Sequence, residues 1–403
     1  MTRTVAIRTI GSAGVSVWVV PVLLGLLLAL TGCSNTDTMI LYLLKDVTEI
    51  VDNSLDNKAT VLGMAHSGGK YYAATGGSLW TRDDAAGTEE WTPVGMPAGA
   101  VSCTAFALFD PGTGDQLYAA FVIMEDDDSY SYALYKAAPG PSPTWSQVTD
   151  AATIGGKQIV ELAVVDPPGA DSVFVFTFDG TDTYNAYHYD GDATFGATGI
   201  GDKEWNEEKK KSNPVVAAVY DGTNYFIATE DAIYWDDTVA GLGNIKDELD
   251  NPNADAVLTD MLYYNDGADD HYYLSAHVST DTLKGGIVYH TDDLTSPITW
   301  TASAEQIITS SGAVVPLSSL ELIDTATPEK VLAGSVGYGF YETDYDDLAT
   351  LARAELTATE LAGSWILDYL FHNDTVFILT AGTGLWSREF SSNAWQGDNW
   401  THE

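Results

Sequence analysis

The sequence predicts an all-β protein, and within that class a seven-bladed β-propeller. One pattern recurs along the chain: residues 63–82, 217–236 and 368–386 each contain two apolar runs joined by a polar turn, then a second turn and an aromatic run. The runs are rich in Val, Tyr, Phe and Thr, which favour strands. The middle run occurs seven times at intervals of roughly fifty residues, a period typical of propellers. Its copies contain Tyr71, Tyr118, Val173, Tyr225, Tyr272, Val331 and Val376.

Turns and tryptophans support the same repeat. Pairs of turn-forming residues fall where hairpins need them, and four units end on a Trp followed by a hydroxyl residue, which we interpret as the outer strand of a blade. Three further tryptophans follow the middle run, and we interpret them as one repeat position in the blade core. A two-sheet β-sandwich array is the alternative fold. The turns are Asp179-Gly180, Asp221-Gly222 and Asn373-Asp374, the blade-ending pairs are Trp91-Thr92, Trp145-Ser146, Trp300-Thr301 and Trp400-Thr401, and the core set is Trp80, Trp235 and Trp386.

The turns before two of these tryptophans resemble a known motif. Residues 81–91 and 290–300 resemble degenerate copies of the Asp-box, the Ser-x-Asp-x-Gly-x-Thr-Trp turn of sialidase-like and photosystem-assembly-type propellers. The resemblance covers residues 60–403, although no copy matches the full motif, and it implies the fold and not the function. Sialidase activity is not expected, because a sialidase clamps the carboxylate of its substrate with an arginine cluster. The chain after the leader has three arginines, two of them at the same position of different repeat units.

The N-terminus resembles that of an exported bacterial lipoprotein. Residues 1–14 carry two arginines and no acid, and residues 15–30 are apolar but interrupted by Gly and Pro, which suits a secretory signal better than a membrane span. The sequence Leu-Thr-Gly-Cys that ends at Cys33 resembles the lipobox, which implies cleavage before Cys33 and acylation of this residue. An ordinary signal peptide or an uncleaved anchor is the alternative. By the sorting rule of that family, Ser34 implies the outer membrane of the cell envelope.

These observations divide the chain into three parts. Residues 1–32 are the predicted lipoprotein signal peptide, and residues 33–57 are lipidated Cys33, a tether and a short amphipathic segment. Residues 58–403 are the propeller domain. Apolar residues at spacings of three and four predict a helix over 39–57, and a strand at the start of this segment is the competing interpretation. We expect a monomer bound to the lipid bilayer through its acyl chains.

The charge of the chain excludes some partners. Fifty-eight acidic residues against 17 basic ones give a formal net charge of -41. A polyanion of this kind repels phosphates and anionic lipid head groups, so we expect no nucleic acid partner. Adaptation to a saline medium explains the charge, since salt screens the self-repulsion; a basic partner or bound cations are the alternative. Of the two cysteines, Cys103 lies among small and apolar residues and is expected to be a buried strand residue.

Three tryptophans are the candidate binding residues. Trp205, Trp365 and Trp395 fall outside the repeat, so the blade architecture gives no reason for them. Since sugar rings stack on exposed aromatic side chains, these residues are candidates for contact with a protein or glycan ligand.

An acidic turn is the candidate metal site. Asp266, Asp269 and Asp270 could hold Ca²⁺ through oxygen ligands, although their spacing is not that of an EF-hand, and a solvated turn is the alternative. We expect no other cofactor. The seven histidines form no close pair with ligand spacing apart from a loose pair, His271 and His277, on one strand. The shared repeat turn of His66 and His372 is interpreted as structural.

Two functions remain open. The leading expectation is an interaction module that binds a protein or extracellular ligand across one face of the propeller. The alternative is a polysaccharide-active hydrolase or lyase with acidic residues in the central channel. A convergent pair of buried carboxylates with raised pKa values would favour the enzyme, whereas a channel filled by Ala, Gly and Val would exclude it.

The lipobox generates the first prediction. Mass spectrometry of the exported protein is expected to find an acylated N-terminal cysteine at position 33, and Cys33→Ser is expected to accumulate as unprocessed precursor. Cys103→Ser serves as the control and is expected to be processed normally. A mature chain that begins elsewhere and carries no lipid would overturn this prediction.

Overall fold

The structure is a computed structural model that describes Leu55 and most of residues 59–403. The stretches left out are 86–89, 128, 149–153, 155, 168–170, 182, 192–195, 199–204, 207–210, 213, 240–247, 250–251, 281–283, 295–297, 304–306, 310, 327, 354–358 and 398. Cys33 and the predicted amphipathic segment, except Leu55, lie outside the described residues. Within those residues, no helix has the length and apolar character needed to span a membrane.

Seven antiparallel sheets follow one another along the described chain, which confirms the predicted seven blades and excludes the sandwich. The strands of blades 1–4 are Val61–Ser67, Lys70–Thr75, Leu79–Asp83 and Thr92–Val94; Ala100–Phe109, Gln116–Met124, Tyr130–Ala137 and Ser146–Gln147; Gln158–Val165, Ser172–Phe178, Tyr184–Tyr189 and Gly196–Ala197; and Val215–Tyr220, Tyr225–Thr229, Ile233–Asp236 and Glu248–Leu249. Those of blades 5–7 are Ala256–Asn265, Asp270–Ser279, Lys284–Thr291 and Thr301–Ala302; Leu317–Ile323, Lys330–Ser335, Phe340–Asp344 and Asp347–Arg353; and Trp365–His372, Thr375–Ala381, Leu385–Ser391, Ala394–Trp395 and Thr401–His402.

Two small elements accompany the blades. A hairpin of Trp205–Asn206 and Lys211–Ser212 lies between blades 3 and 4 in the chain, and a single helical turn, Thr359–Ala362, precedes blade 7. In blade 7 the strand Leu385–Ser391 pairs with both of the short strands that follow it.

The first strands of the blades form a closed ring. Each first strand contacts the first strand of the next blade, and that of blade 7 contacts that of blade 1. The seven first strands are therefore the innermost ones, and they surround the central channel. Leu55 is buried with Val61, Tyr71 and Phe377 where blades 1 and 7 meet, so this residue helps to fill the seam.

Every inner strand carries a β-bulge. The register with the second strand shifts once in each blade, and twice in blade 2, so one inner-strand residue is left over at each shift. A bulge bends the strand and redirects its side chains. At Gly63 an added Cβ would lie 2.8 Å from the carbonyl oxygen of Phe106, so glycine allows blades 1 and 2 to approach. The residues after the equivalent bulge are Gly63, Ala105, Glu161, Ala217, Asp260, Ser319 and Asp368.

The tryptophans of the repeat follow the prediction with one correction. Each of the four blade-ending Trp residues directly precedes an outermost strand, as expected. Trp80 and Trp386 share a third-strand position opposite Ala73 and Ile378. Trp235 does not share it, because Tyr234 lies at this position, opposite Ile227. The repeat position assigned to Trp235 is therefore wrong by one residue, which moves its side chain to the other face of the strand.

Two of the predicted hairpin turns and the predicted burial of Cys103 are found in the structure. Asn373 and Asp374 both have positive φ, 48° and 59°, as a type I′ hairpin requires. The Asp221 carboxylate accepts hydrogen bonds from the backbone N–H groups two and three residues later. Cys103 is fully buried, and burial raises the pKa of its thiol to about 12, so it is an inert core residue.

The blade core generates a stability prediction. Trp386 is 7% exposed, packs between blades 6 and 7, and donates from Nε1 to the carbonyl oxygen of Thr383 at 2.9 Å. Trp386→Ala is expected to lower the free energy of unfolding by about 3–5 kcal/mol, because it leaves a large cavity. Tyr130→Ala, at a side chain that is 61% exposed, should change it by less than about 0.5 kcal/mol. Equal midpoints for the two variants in a denaturant titration would contradict this packing.

Candidate functional site

Four carboxyl side chains lie on the inner strands and face the central channel. Glu161, Asp260 and Asp368 are the residues after the bulges of blades 3, 5 and 7. In blade 6 that position is Ser319, and the acid is Glu321, two residues later and hence on the same face of the strand. None of the seven inner strands contains Lys or Arg. We call these four residues the channel carboxyls.

The channel carboxyls are enclosed by protein but remain accessible to solvent. Strands of several blades surround them on all sides, yet Glu161, Asp260 and Glu321 are only half-buried and Asp368 is exposed. A group can have both properties only where it lines a cavity or channel inside the fold. The four side chains therefore line the channel inside the ring and contact solvent there.

Burial raises the pKa values of all four groups, and repulsion by neighbouring carboxylates adds to the shift in Glu161, Asp260 and Glu321. Burial raises the pKa of Asp260 and of Glu321 to about 8, and that of Asp368 to about 6. The pKa of Glu161 is also well above its ordinary value, because of burial and then the charges of Asp260 and Asp368. The Asp368 charge contributes to the raised pKa of each of the other three. No basic group in the described structure offsets these effects, so the cluster holds protons near neutral pH.

Hydrogen bonds distinguish the members of the cluster. Asp260 accepts from the backbone N–H of Met261 and from that of Leu320, both at 2.7 Å, so it links blade 5 to blade 6 with both oxygens. Asp368 accepts from the adjacent backbone N–H at 2.8 Å, and Glu321 accepts from its neighbour at 3.1 Å. Asp260 is thus held by two blades, whereas Glu321 and Asp368 are each held through one oxygen.

The two carboxyl groups on blades 6 and 7 differ in protonation state at neutral pH. At pH 7 Asp368 is mostly ionised, because this pH is above its pKa of about 6. Glu321 is mostly protonated, because its pKa is about 8, and after burial the Asp368 charge is the largest cause of that shift. A neutral carboxylic acid beside a carboxylate is the arrangement that general acid–base chemistry uses. The raised pKa values are those expected for the enzyme, but Glu321 is half-buried and Asp368 is exposed, so the pair is not the fully buried one that was expected.

The candidate tryptophans lie in three different settings. Trp365 is half-buried at the start of the blade 7 inner strand, three residues before Asp368. Trp395 is half-buried against Phe340 and Trp400, and its Nε1 donates to Glu342 Oε2 at 2.8 Å. Packing within the fold therefore explains a tryptophan at this position without a ligand. The backbone of Trp205 pairs with Ser212, and its side chain lies outside the described residues. Only Trp365 lies on the strand of a channel carboxyl, and ligand binding by all three stays a prediction.

The acidic turn of the predicted Ca²⁺ site has its own internal bonds. Asp266 Oδ1 accepts from the backbone N–H groups of Ala268 and Asp269, at 2.7 and 2.8 Å, which lowers the pKa of Asp266 to about 2. Asp270 Oδ1 accepts from Tyr263 and Asn265, both at 2.7 Å, and Asp269 is exposed. Hydrogen bonds within the turn therefore explain the presence of Asp266 and Asp270 without a metal ion. Ca²⁺ binding stays a prediction.

Histidines form two clusters that sequence spacing missed. His66 Nε2 lies 2.7 Å from Asp84 Oδ2, and the His66 ring stacks on His372 with centroids 3.6 Å apart. The second cluster consists of His271, His290 and Asp292. His66 and His372 occupy the same turn of the first and last units, so ring closure would have predicted their contact. His277 belongs to neither cluster.

The three arginines after the leader form separate contacts. Arg82 forms an ion pair with the carboxylate of Glu403. Arg353 donates to the carbonyl oxygens of Tyr338 and Ala362, and Arg388 donates to those of Gln396 and Gly397. They are separate anchors on blades 1, 6 and 7, and they form no common clamp.

Comparison with known proteins identifies the fold alone. No protein-family model and no curated protein matches the sequence. A GH74 xyloglucanase from Xanthomonas campestris has a similar structure, with a TM-score of 0.62 at 16% identity over 86% of this chain and 55% of its own. A GH74 enzyme from Niastella koreensis matches with a TM-score of 0.57 at 16% identity, over 87% and 55% of the two chains. YCF48 from Cyanidioschyzon merolae matches with a TM-score of 0.52 at 13% identity, over 83% and 97%. This chain thus spans about half the length of the GH74 proteins.

The raised pKa values predict how stability depends on pH. A carboxyl group whose pKa is higher in the folded chain binds more protons when folded, so the free energy of unfolding falls as pH rises. For Glu321 the fall extends from the ordinary carboxyl pKa of about 4 to about 8. The melting temperature is therefore expected to drop between pH 5 and pH 8.5, and Glu321→Gln should make the drop smaller. Asp126→Asn, at an exposed turn, should leave it unchanged. Equal drops in the wild type and Glu321→Gln would contradict the assigned shift.

Proposed function

We propose that this chain is a glycoside hydrolase of the cell envelope that acts on a neutral polysaccharide at its acid-lined channel. The observation that carries the proposal is the pair of channel carboxyls on neighbouring blades, Glu321 and Asp368, with pKa values of about 8 and about 6. Enzymes that cleave glycosidic bonds use two carboxyl groups, one protonated and one ionised.

The roles follow from the protonation states. Glu321 donates its proton to the glycosidic oxygen as the bond from this oxygen to the anomeric carbon breaks. The Asp368 carboxylate stabilises the positive charge that develops on the sugar and accepts a proton from the water that attacks the anomeric carbon. The products are two shorter sugar chains, with Glu321 ionised and Asp368 protonated until solvent restores both. Asp260 holds the adjoining inner strands of blades 5 and 6 together through its two backbone hydrogen bonds.

The charge of the site selects the substrate class. The ionised Asp368 and the absence of Lys and Arg from the inner strands disfavour uronic acids, sulfated sugars and phosphorylated sugars. A lyase is disfavoured for the same reason, since it must neutralise the carboxylate of a uronic acid before elimination. Trp365 lies three residues before Asp368 on the same strand, where its ring can stack on an uncharged sugar. Neutral polysaccharide hydrolysis is therefore the form of the enzyme that the chemistry favours.

The proposed location comes from the sequence. Acylation of Cys33 would fix the enzyme to the lipid bilayer, with the propeller on the polymer side of the membrane. Two structures that share the fold are GH74 enzymes, one of them a xyloglucanase. They are compatible with the proposal but do not carry it, because their identity to this chain is 16% and they are nearly twice as long.

The test is release of reducing ends from a panel of neutral polysaccharides by the full chain. The dependence of kcat/KM on pH is expected to be bell-shaped, with limbs near pH 6 and pH 8 from ionisation of Asp368 and Glu321. Glu321→Gln and Asp368→Asn should each lower kcat by about 100-fold or more, whereas Asp126→Asn should match the wild type. Activity that survives both channel substitutions, or its absence on every neutral polymer, would reject the proposal.

An interaction module is the second candidate, and one observation favours it. YCF48 is matched over 97% of the chain that was solved, and YCF48 has also been solved bound to a D1 peptide. Under this hypothesis the channel carboxyls would bind a partner segment without cleaving it. Binding of a neutral oligosaccharide or a peptide with no product formed, and loss of that binding in Asp368→Asn, would select this candidate.

A further inference from the structure

We propose that His271, His290 and Asp292 form a binding site for a divalent transition-metal ion, for which Zn²⁺ is the reference ion. The site is independent of the channel carboxyls. One ligand atom from each of the three residues lies within 4.8 Å of the others. The atoms are His271 Nδ1, His290 Nε2 and Asp292 Oδ1.

The spacing of these atoms is close to that of a coordination shell. His271 Nδ1 is 3.2 Å from His290 Nε2 and 2.8 Å from Asp292 Oδ1, and His290 Nε2 is 3.0 Å from the same oxygen. Zinc holds nitrogen and oxygen ligands at about 2.0–2.2 Å, so two ligands of a tetrahedral ion lie about 3.3 Å apart. Shifts of a few tenths of an ångström would therefore open the triangle enough for the ion.

A fourth residue orients His271 for this role. The other ring nitrogen, His271 Nε2, lies 3.4 Å from Asp266 Oδ2. Without an ion, Nδ1 lies within hydrogen-bond distance of Asp292 and His290. When Nδ1 holds an ion, the ring proton must lie on Nε2, where the Asp266 carboxylate faces it. Metal-bound histidines commonly carry such a carboxylate behind them. Tyr345 of blade 6 supports this arrangement, because its hydroxyl donates to Asp266 Oδ2 at 3.3 Å and its ring meets His271 edge-on at 5.1 Å.

The site combines a rigid base with access to solvent. His271 is the second residue of one blade 5 strand, and His290 lies near the end of the next, opposite Tyr273. His271 is buried, whereas the Asp292 side chain is 61% exposed. An ion can therefore enter from the Asp292 side, and water can complete its coordination there. Two imidazoles and one carboxylate suit Zn²⁺, Cu²⁺ or Ni²⁺, whereas Ca²⁺ takes six to eight oxygen ligands.

The other histidine cluster is less suited to an ion. The rings of His66 and His372 lie face to face with their centroids 3.6 Å apart, whereas the centroids of His271 and His290 are 5.4 Å apart. The wider separation leaves more room for an ion between the rings of the blade 5 pair. The blade 5 cluster is therefore the preferred site, and the seam cluster provides an internal comparison.

The experiment is calorimetric titration of the chelator-treated full chain with Zn²⁺ alone, at pH 7. The wild type is expected to bind one Zn²⁺ with high affinity. Asp292→Asn, which keeps the size of an exposed side chain, and His290→Gln should each weaken this binding at least tenfold. Asp269→Asn in the adjacent acidic turn is the matched control and should bind as the wild type does. Ca²⁺ in tenfold excess should not displace the Zn²⁺.

Three outcomes would overturn the proposal. The first is wild-type affinity in both Asp292→Asn and His290→Gln. The second is loss of the tight site in His372→Gln with retention in Asp292→Asn, which would place the ion at the seam of blades 1 and 7. The third is the absence of tight binding in the wild type. Circular dichroism of each variant confirms that it is folded, so that lost affinity is not lost structure.

Discussion

Closure of the ring is the constraint on which the rest of the structure depends. Once blade 7 contacts blade 1, seven inner strands must surround one channel, and the residue after each bulge is turned toward the same small volume. In blades 3, 5 and 7 that residue is acidic, and blade 6 adds an acid two positions later. Like charges separated along the chain by fifty to two hundred residues are thereby concentrated without a basic partner. Their raised pKa values are a consequence of this geometry.

The many acids of this chain consequently fall into two classes. Acids of the turns, such as Asp221 and Asp266, accept hydrogen bonds from nearby backbone N–H groups and organise hairpins. The channel carboxyls gain less from such bonds than they lose by enclosure, so a proton is retained where the surface acids lose theirs. The formal net charge of -41 counts every acid as ionised, which suits the turn acids but not the channel carboxyls. Function is therefore sought where an acid is costly to ionise and not where acids are abundant.

The fold could be predicted from the sequence because its determinants are local. Strand periodicity, turn residues and the Trp before each outer strand repeat every fifty residues or so, and seven copies imply a closed number of blades. The channel carboxyls could not be singled out in the same way, because their convergence is created by closure. A weaker signal was present: Glu161, Asp260 and Asp368 each interrupt an apolar run, where a charge is costly. His271 and His290 are distant in sequence and are brought together only by the register of neighbouring strands. The repeat position of Trp235 was wrong for a similar reason, because strand register could not be read from the sequence.

The most direct test of this account is a carbon-13 NMR titration of the side-chain carboxyl groups of Asp and Glu. Resonances that disappear in Glu321→Gln, Asp260→Asn and Asp368→Asn assign the channel carboxyls individually. The account predicts that Glu321 and Asp260 titrate near pH 8 and Asp368 near pH 6, apart from the bulk of the acids near pH 4. If all three titrate with the bulk, the carboxyl groups do not converge in an enclosed channel, and the proposed active site is contradicted.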